Sequence, residues 1–297
     1  MNIKKNFSRK TRVVFITERF SIFMVVMVLL FISCSSAPKR PAQITTTYNL
    51  AVNQLDSANV ESERGNYKLA GILLEEVWKL AVSIDSVELR VLTQLSQGNL
   101  AFYQNNQEIA ESMWNAALVE SEKDHNEELI ALSKIYKTRG ILSWGAAENK
   151  DKDAQKVIDI VSDRMGILKK SNQLYLAYAW MLMGFAKKQL GQWQQAESYF
   201  KTSLKIHEDM LYLELAAYDW YAIASVRSVA GQYEQAVKAM QNAIDFDRRA
   251  ENSFGLGSDY LALGDIYKKA GQKELSEEAF KRSKEIFDSS SLLNTPD

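Results

Sequence analysis

The chain has 297 residues, with 36 Lys and Arg against 37 Asp and Glu, 46% hydrophobic residues, two histidines and a single cysteine. This composition excludes a disordered chain, an intramolecular disulfide framework and a multi-thiolate metal site. Six of the basic residues (Lys4, Lys5, Arg9, Lys10, Arg12, Arg19) and only Glu18 among the acids precede residue 34, which leaves the remainder at net −6. A body of that sign lacks the basic face that sequence-independent nucleic-acid binding requires.

The first segment reads as an address. Residues 1–19 are basic, and residues 20–32 are an apolar run broken only by Ser21. Thirteen residues rising about 1.5 Å each fall short of the ~20 needed to cross a hydrocarbon core. A charged start, a short apolar middle and a small residue before a cut are the layout of a secretory signal. Ser33 and Cys34 follow at once, and then a polar stretch with Pro38 and Pro41. This arrangement resembles the signal of bacterial lipoproteins, although Phe31 stands where leucine is usual. The resemblance implies residues 1–33 as signal peptide and Cys34 as the acylated, palmitate-bearing N-terminus. Residues 34–44 then form a lipidated cysteine and polar tether. With Ser35 next, it also implies the periplasmic face of the outer membrane. Two or three acyl chains anchor stably where one does not. The competing reading is a short signal anchor with Cys34 as an ordinary thiol. The coincidence of the sole cysteine with the acylation position favours the lipid.

Residues 45–290 contain no proline and are rich in Ala, Leu, Glu, Gln and Lys, as a continuous stack of helices requires. Gly191-Gln-Trp-Gln-Gln-Ala196 returns 40 residues later as Gly231-Gln-Tyr-Glu-Gln-Ala236, and again at Gly271. Flanking positions keep step: Trp180, Trp220 and Tyr260; Gly184, Ala224 and Gly264; Phe200, Met240 and Phe280; Ser203, Ala243 and Ser283. Upstream, Gly65-Asn-Tyr-Lys-Leu-Ala70 pairs with Asn105-Asn-Gln-Glu-Ile-Ala110, and a degenerate copy places Asn149 and Ala154 in the same roles. Turns at 65, 105, 149, 191, 231 and 271 predict six helix–turn–helix units. In each, a first helix carries an aromatic and, four residues on, a Gly or Ala on the same face. A glycine ends that helix, and the second helix presents an alanine, an aromatic and a small residue. One such hairpin cannot bury its apolar side alone, so the units must stack.

These residues resemble the tetratricopeptide repeat, with a period near 40 in place of the standard 34 and without its closing proline. The match is best over 177–287, fair over 51–125 and weakest over 126–165. The resemblance implies an all-α solenoid, a superhelix of about six stacked repeats spanning 45–288. Lys284, where inner units have Leu118, Leu204 and Ile244, marks a solvated cap, and residues 289–297 read as a disordered tail.

Catalytic signals are missing. Gly255-Leu-Gly257 is too short for a phosphate loop; His125 sits in a charged turn; His207 near a helix end is read as structural. Asp151, Asp153, Glu127 and Glu128 are turn and helix-start acids. The expectation is no enzyme, no cofactor and no metal. The resemblance instead points to the inner wall of first helices: Leu95, Asn99, Phe102 and Tyr103; Tyr136, Arg139 and Ser143; Tyr178, Met181, Phe185 and Lys188; Tyr218, Tyr221, Ser225 and Ser228; Leu261, Asp265 and Lys268. Either these rings line an exposed apolar patch that binds, or the superhelix is tight enough for them to pack on one another. The row of Lys and Asn that grips a C-terminal carboxylate in chaperone-binding relatives is lacking. Two functions follow. One is a membrane-anchored scaffold for an envelope protein or peptide, such as a transporter or assembly component. The other is a ligand-binding or transporter-accessory lipoprotein with an aromatic-lined channel. An open concave face favours the first, an enclosed cavity the second.

Overall fold

A computed structural model describes residues 46–168 and 172–291. Cys34, the apolar run and the tether therefore lie outside the described residues, as does the end of the tail. Among the described residues there are twelve α-helices and no strand. They pair as six hairpins: α1 (Thr47–Glu63) with α2 (Tyr67–Ser83), α3 (Val87–Tyr103) with α4 (Gln107–Lys123), and α5 (Glu127–Trp144) with α6 (Lys150–Leu168). The series continues with α7 (Gln173–Gln189) and α8 (Trp193–Asp209), α9 (Leu213–Val229) and α10 (Tyr233–Arg249), and α11 (Ser253–Lys269) and α12 (Lys273–Ser291). Five of the six first helices (α1, α3, α7, α9 and α11) end two residues before the turn that the forty-residue period predicts, and α5 is the exception. The last helix runs to Ser291, into the segment expected to fray, and Lys284 on it is exposed as a cap requires.

Glycine closes four of the hairpins in the left-handed region: Gly65, Gly191, Gly231 and Gly271 have φ between +69° and +79°, and Asn105 does the same at +56°. The turns between repeats use the same conformation without glycine, at Asp85, His125, Leu211 and Glu251. In each, the last helical carbonyls are met by amides beyond the turn, as in His125 N–H to Glu122 O (3.2 Å) and Asn126 N–H to Ser121 O (3.3 Å). Hydrogen bonding thus holds side-chain-bearing residues where glycine is the usual occupant.

Repeat 3 departs from the pattern. Asn149 is not a left-handed turn residue. Helix α5 stops at Gly145, whose backbone is extended (φ −59°, ψ 145°), and a short 3-10 turn, Ala147–Asn149, leads into α6. The four extra residues of this unit make a longer corner, which explains why its sequence match is weakest.

The two helices of a hairpin touch where one gives up its side chain. A Cβ placed on Gly184 would meet the Phe200 ring at 2.7 Å, and one on Gly257 the Phe287 ring at 2.6 Å. Gly98 sits against Trp114 and Gly264 against Phe280 in the same way. Ala196, Phe200 and Ser203 are each fully buried. Three apolar clusters run in sequence along the stack, over α1–α3, α3–α8 and α7–α12.

The stack curves until its beginning meets its later repeats. Arg64, at the first hairpin turn, donates from Nη2 to Glu214 Oε1 (2.7 Å) and to the Ala250 carbonyl (2.9 Å). Beside it the Tyr67 ring lies edge-on to Phe254, 6.4 Å between centroids. Repeat 1 is thereby fastened to repeats 5 and 6.

Gly184→Ala is expected to cost about 1–3 kcal/mol by forcing apart a packed pair, read as a lower urea midpoint by circular dichroism. Gly166→Ala, with nothing within 4 Å of the added carbon, should instead be neutral or stabilise by up to about 1 kcal/mol through helix propensity.

Candidate functional site

Helices α3, α5, α7 and α9 turn one face to their hairpin partners and the opposite face inward. Residues three and four apart on a helix share a side, so Asn99, Phe102 and Tyr103 emerge together, as do Tyr136 and Arg139. Tyr178, Met181 and Phe185 follow on α7, then Tyr218 and Tyr221 on α9. Because the stack closes on itself, this face is the lining of a chamber of about 540 Å³. A second chamber of about 500 Å³ shares Phe102, Arg139, Met181 and Tyr218 with the first and is bounded by Lys188, Ser143 and Lys150.

The rings pack on one another and line the cavity at once. Tyr136 and Tyr178 lie 4.4 Å apart between centroids; Phe185 and Tyr218, 6.0 Å; Tyr218 and Tyr221 are parallel at 6.4 Å. Burial raises the Tyr178 phenol to about 12, and Tyr136 and Tyr221 are raised for the same first reason. These hydroxyls are neutral donors and acceptors at ordinary pH. The Tyr178 hydroxyl faces the Arg139 guanidinium, and Asn99 Oδ1 has no hydrogen-bond partner among the described residues.

Arg139 is the central charge. Its residue is 7% exposed, and its guanidinium carbon sits 4.0 Å from the Phe102 ring centroid and 4.8 Å from that of Tyr103. This cage holds a cation by the ring quadrupoles. Among the described residues no carboxylate comes within 4.0 Å of it. Lys188, the other cation on this wall, donates to Ser225 Oγ (2.6 Å), and its pKa is lowered by burial and by Lys269.

The facing wall is acidic, and the sequence reading did not place it. It is made of Asp56, Glu63, Glu214, Asp247 and Asp259. Burial in the lumen, and next the charge of Glu214, push the half-buried Glu63 up to about 8. Asp247 and Asp259 are both nearly fully buried; desolvation raises both carboxyls, and the mutual charge raises Asp259 further. Asn252 Nδ2 donates to Asp247 Oδ1 (2.8 Å), while Asp259 Oδ2 has no partner among the described residues.

The same junction one repeat earlier holds His207 and Asp219, 2.6 Å apart and buried. His207 thus joins α8 to α9 through an acid twelve residues on, a structural partner that its sequence neighbours Glu208 and Asp209 did not reveal. His125 is exposed in its turn, as expected. Of the inner-wall residues read from sequence, Leu95, Asn99, Phe102, Tyr103, Tyr136, Arg139, Ser143, Tyr178, Met181, Phe185, Lys188, Tyr218 and Tyr221 line one or both chambers. Ser225 stands behind Lys188. Leu261, Asp265 and Lys268 are exposed on α11 and line neither chamber. The superhelix turns past them, so the sixth repeat contributes its helix start, Phe254 to Asp259, instead. Among the described residues no group of His, Cys, Asp and Glu is disposed to hold a metal, and no helix is long and apolar enough to cross a membrane.

Residues 260–288 match the family model described as Tetratricopeptide repeat. Comparison with curated proteins gives no match. Among solved structures the chain is similar to BtubC (BKLC) from P. vanneervenii, at 17% identity and a TM-score of 0.52, over 81% of this chain and 92% of that one. It is also similar to a Rap protein complexed with Competence and Sporulation Factor (15% identity, TM-score 0.57, 83% and 71% covered). The apo form of RapI gives 13%, 0.54, 82% and 67%. Likeness at this level of identity concerns the fold. The fold is a tetratricopeptide-type solenoid.

The acidic wall of this solenoid has a measurable consequence. Glu63, Asp247 and Asp259 keep their protons in the folded chain at pH values where unfolded carboxyls, with pKa about 4, have lost them. Folding therefore takes up protons above about pH 4. This contribution is complete at the acid end of the window and is lost as pH rises through the raised folded-state values. The melting temperature is expected to fall between pH 5 and 9, and Asp259→Asn to flatten that fall; an unchanged slope in the variant would remove this account.

Proposed function

We propose that the protein is a non-catalytic binding protein that takes up a peptide, free or presented by a partner, inside its tyrosine-lined chamber. What supports this reading is the concave face and the chamber it lines. A volume of about 540 Å³ lies within the ~300–1,000 Å³ of small-ligand sites, and its rings and unpartnered polar atoms are the means by which such sites hold and orient a guest. A repeat solenoid offers the wall; the chamber limits the guest to a short segment. The Rap protein of the same fold is described in complex with Competence and Sporulation Factor, which agrees with uptake of a partner by a solenoid of this type. No catalytic step is assigned, since the one close acid–histidine pair, His207 with Asp219, is buried in a helix junction.

The proposal includes attachment to a bacterial membrane through acylated Cys34, with residues 35–44 as spacer and the chamber in the envelope compartment. It rests on the order of charged, apolar and small residues before the sole cysteine. A transporter or an assembly component of the envelope is the partner class that such a placement serves.

Two experiments test the reading separately. Tyr178→Ala combined with Tyr221→Ala should preserve helical content yet reduce recovery of crosslinked partners or peptides from envelope extracts at least tenfold. Equal recovery would overturn chamber binding. Cys34→Ser should move the protein from the membrane pellet to the soluble fraction, and continued sedimentation with membranes would overturn acylation.

A further inference from the structure

The chamber is electrically polar. Its lining carries both signs: Glu63, Asp247 and Asp259 on one hand, and on the other the ring-caged Arg139, which also lines the second chamber with Lys188 and Lys150. Glu63 feels the charge of Arg139 yet lies beyond ion-pair distance from it. Both groups are chemically incomplete. Arg139 is more than nine-tenths buried with rings but no carboxylate against it, and Asp259 is 2% exposed with one oxygen unpartnered. The Tyr103 and Tyr178 hydroxyls face the guanidinium as neutral acceptors, but no anion stands against its charge.

The repeats supply an internal comparison. His207 and Asp219 stand forty residues before Asp247 and Asp259, at the same helix junction. In the earlier repeat an imidazole faces the buried carboxylate at 2.6 Å. In the later one a second carboxyl stands where the imidazole would be, so the junction opens on the chamber with two acids and no cation of its own among the described residues.

Resting on the peptide-binding reading, we propose that the chamber is a directional receptor for a short peptide with both ends free. Its terminal carboxylate pairs with Arg139, and its ammonium docks among Glu63, Asp247 and Asp259. The two ends of the guest supply the two groups that the protein lacks. An ammonium offers three donors to three carboxyls, and a carboxylate can accept a bidentate pair from the guanidinium. Polarity also states what is refused. A polyamine would meet the buried cation of Arg139. The side chains of the guest lie against Tyr136, Tyr178 and Tyr218, whose faces accept many shapes, so the ends carry the selectivity.

The test uses the full-length chain in detergent and three mixed tripeptide libraries: free at both ends, N-acetylated, and C-amidated. Retention is measured by equilibrium dialysis and mass spectrometry. Free tripeptides should be retained, and each cap should lower retention at least tenfold. Arg139→Gln should erase the difference between free and amidated peptides while keeping that between free and acetylated ones. Asp247→Asn with Asp259→Asn should do the reverse. Equal retention of all three libraries by the unaltered chain would overturn this inference and leave chamber binding standing. Retention of none would overturn both. Should a variant fail to fold by circular dichroism, the comparison of capped and free libraries on the unaltered chain still decides.

Discussion

Two helices joined by three residues can lie flat together only where one of them surrenders its side chain to the other's ring. That condition recurs sixteen positions along: Gly98 under Trp114, Gly184 under Phe200, Gly264 under Phe280, with Ala58 and Leu74, and Ala224 and Met240, as milder versions. Close approach holds the helices of a hairpin together, and the stacking of six hairpins gives the curvature. Curvature in turn brings the Arg64 turn to Glu214 and Ala250. The chamber is a product of that sum, with no single element built to enclose it.

A second regularity lies between the hairpins. The end of each second helix faces the next first helix twelve residues on, and the pair is chosen differently each time. Ser121 and Ser133 share a hydrogen bond at 3.1 Å; His207 and Asp219 form a buried hydrogen-bonded pair; Asp247 and Asp259 crowd two carboxyls together. Backbone geometry is conserved along the stack while the chemistry at this seat varies. Burying a lone charge costs several kcal/mol unless it is paired, so the acid pair is tolerable only because its members can hold a proton between them or face a charged guest.

Much of this was written in local residue types. The forty-residue spacing of Gly191, Gly231 and Gly271, and of Gly65 and Asn105 upstream, marks hairpin turns because glycine, and next asparagine, adopts a left-handed backbone at least cost. The inner wall was legible from Tyr178, Met181, Phe185, Tyr218 and Tyr221, since helical spacing puts them on one side and the repeat resemblance implies that this side faces inward. What escaped depended on distance in three dimensions. Glu63, Asp247 and Asp259 belong to the ends and starts of helices, and nothing local says that repeat 1 returns to repeats 5 and 6. Asp265 was assigned to the wall by register, but the superhelix has already turned past it. Asn149 was misplaced because an extended Gly145 and a 3-10 turn absorb the four additional residues of repeat 3. The signal before Cys34 belongs to a different kind of reading, in which order along the chain matters and packing does not.

An uninterrupted stack of repeats behaves like a zipper, in which each tooth knows only its neighbours and the ends come undone first. The Arg64 strut and the Tyr67–Phe254 contact change that arithmetic, for they tie teeth 150 and more residues apart. Peeling the first hairpin away now breaks bonds on two fronts, so its loss is discouraged beyond what its own packing provides.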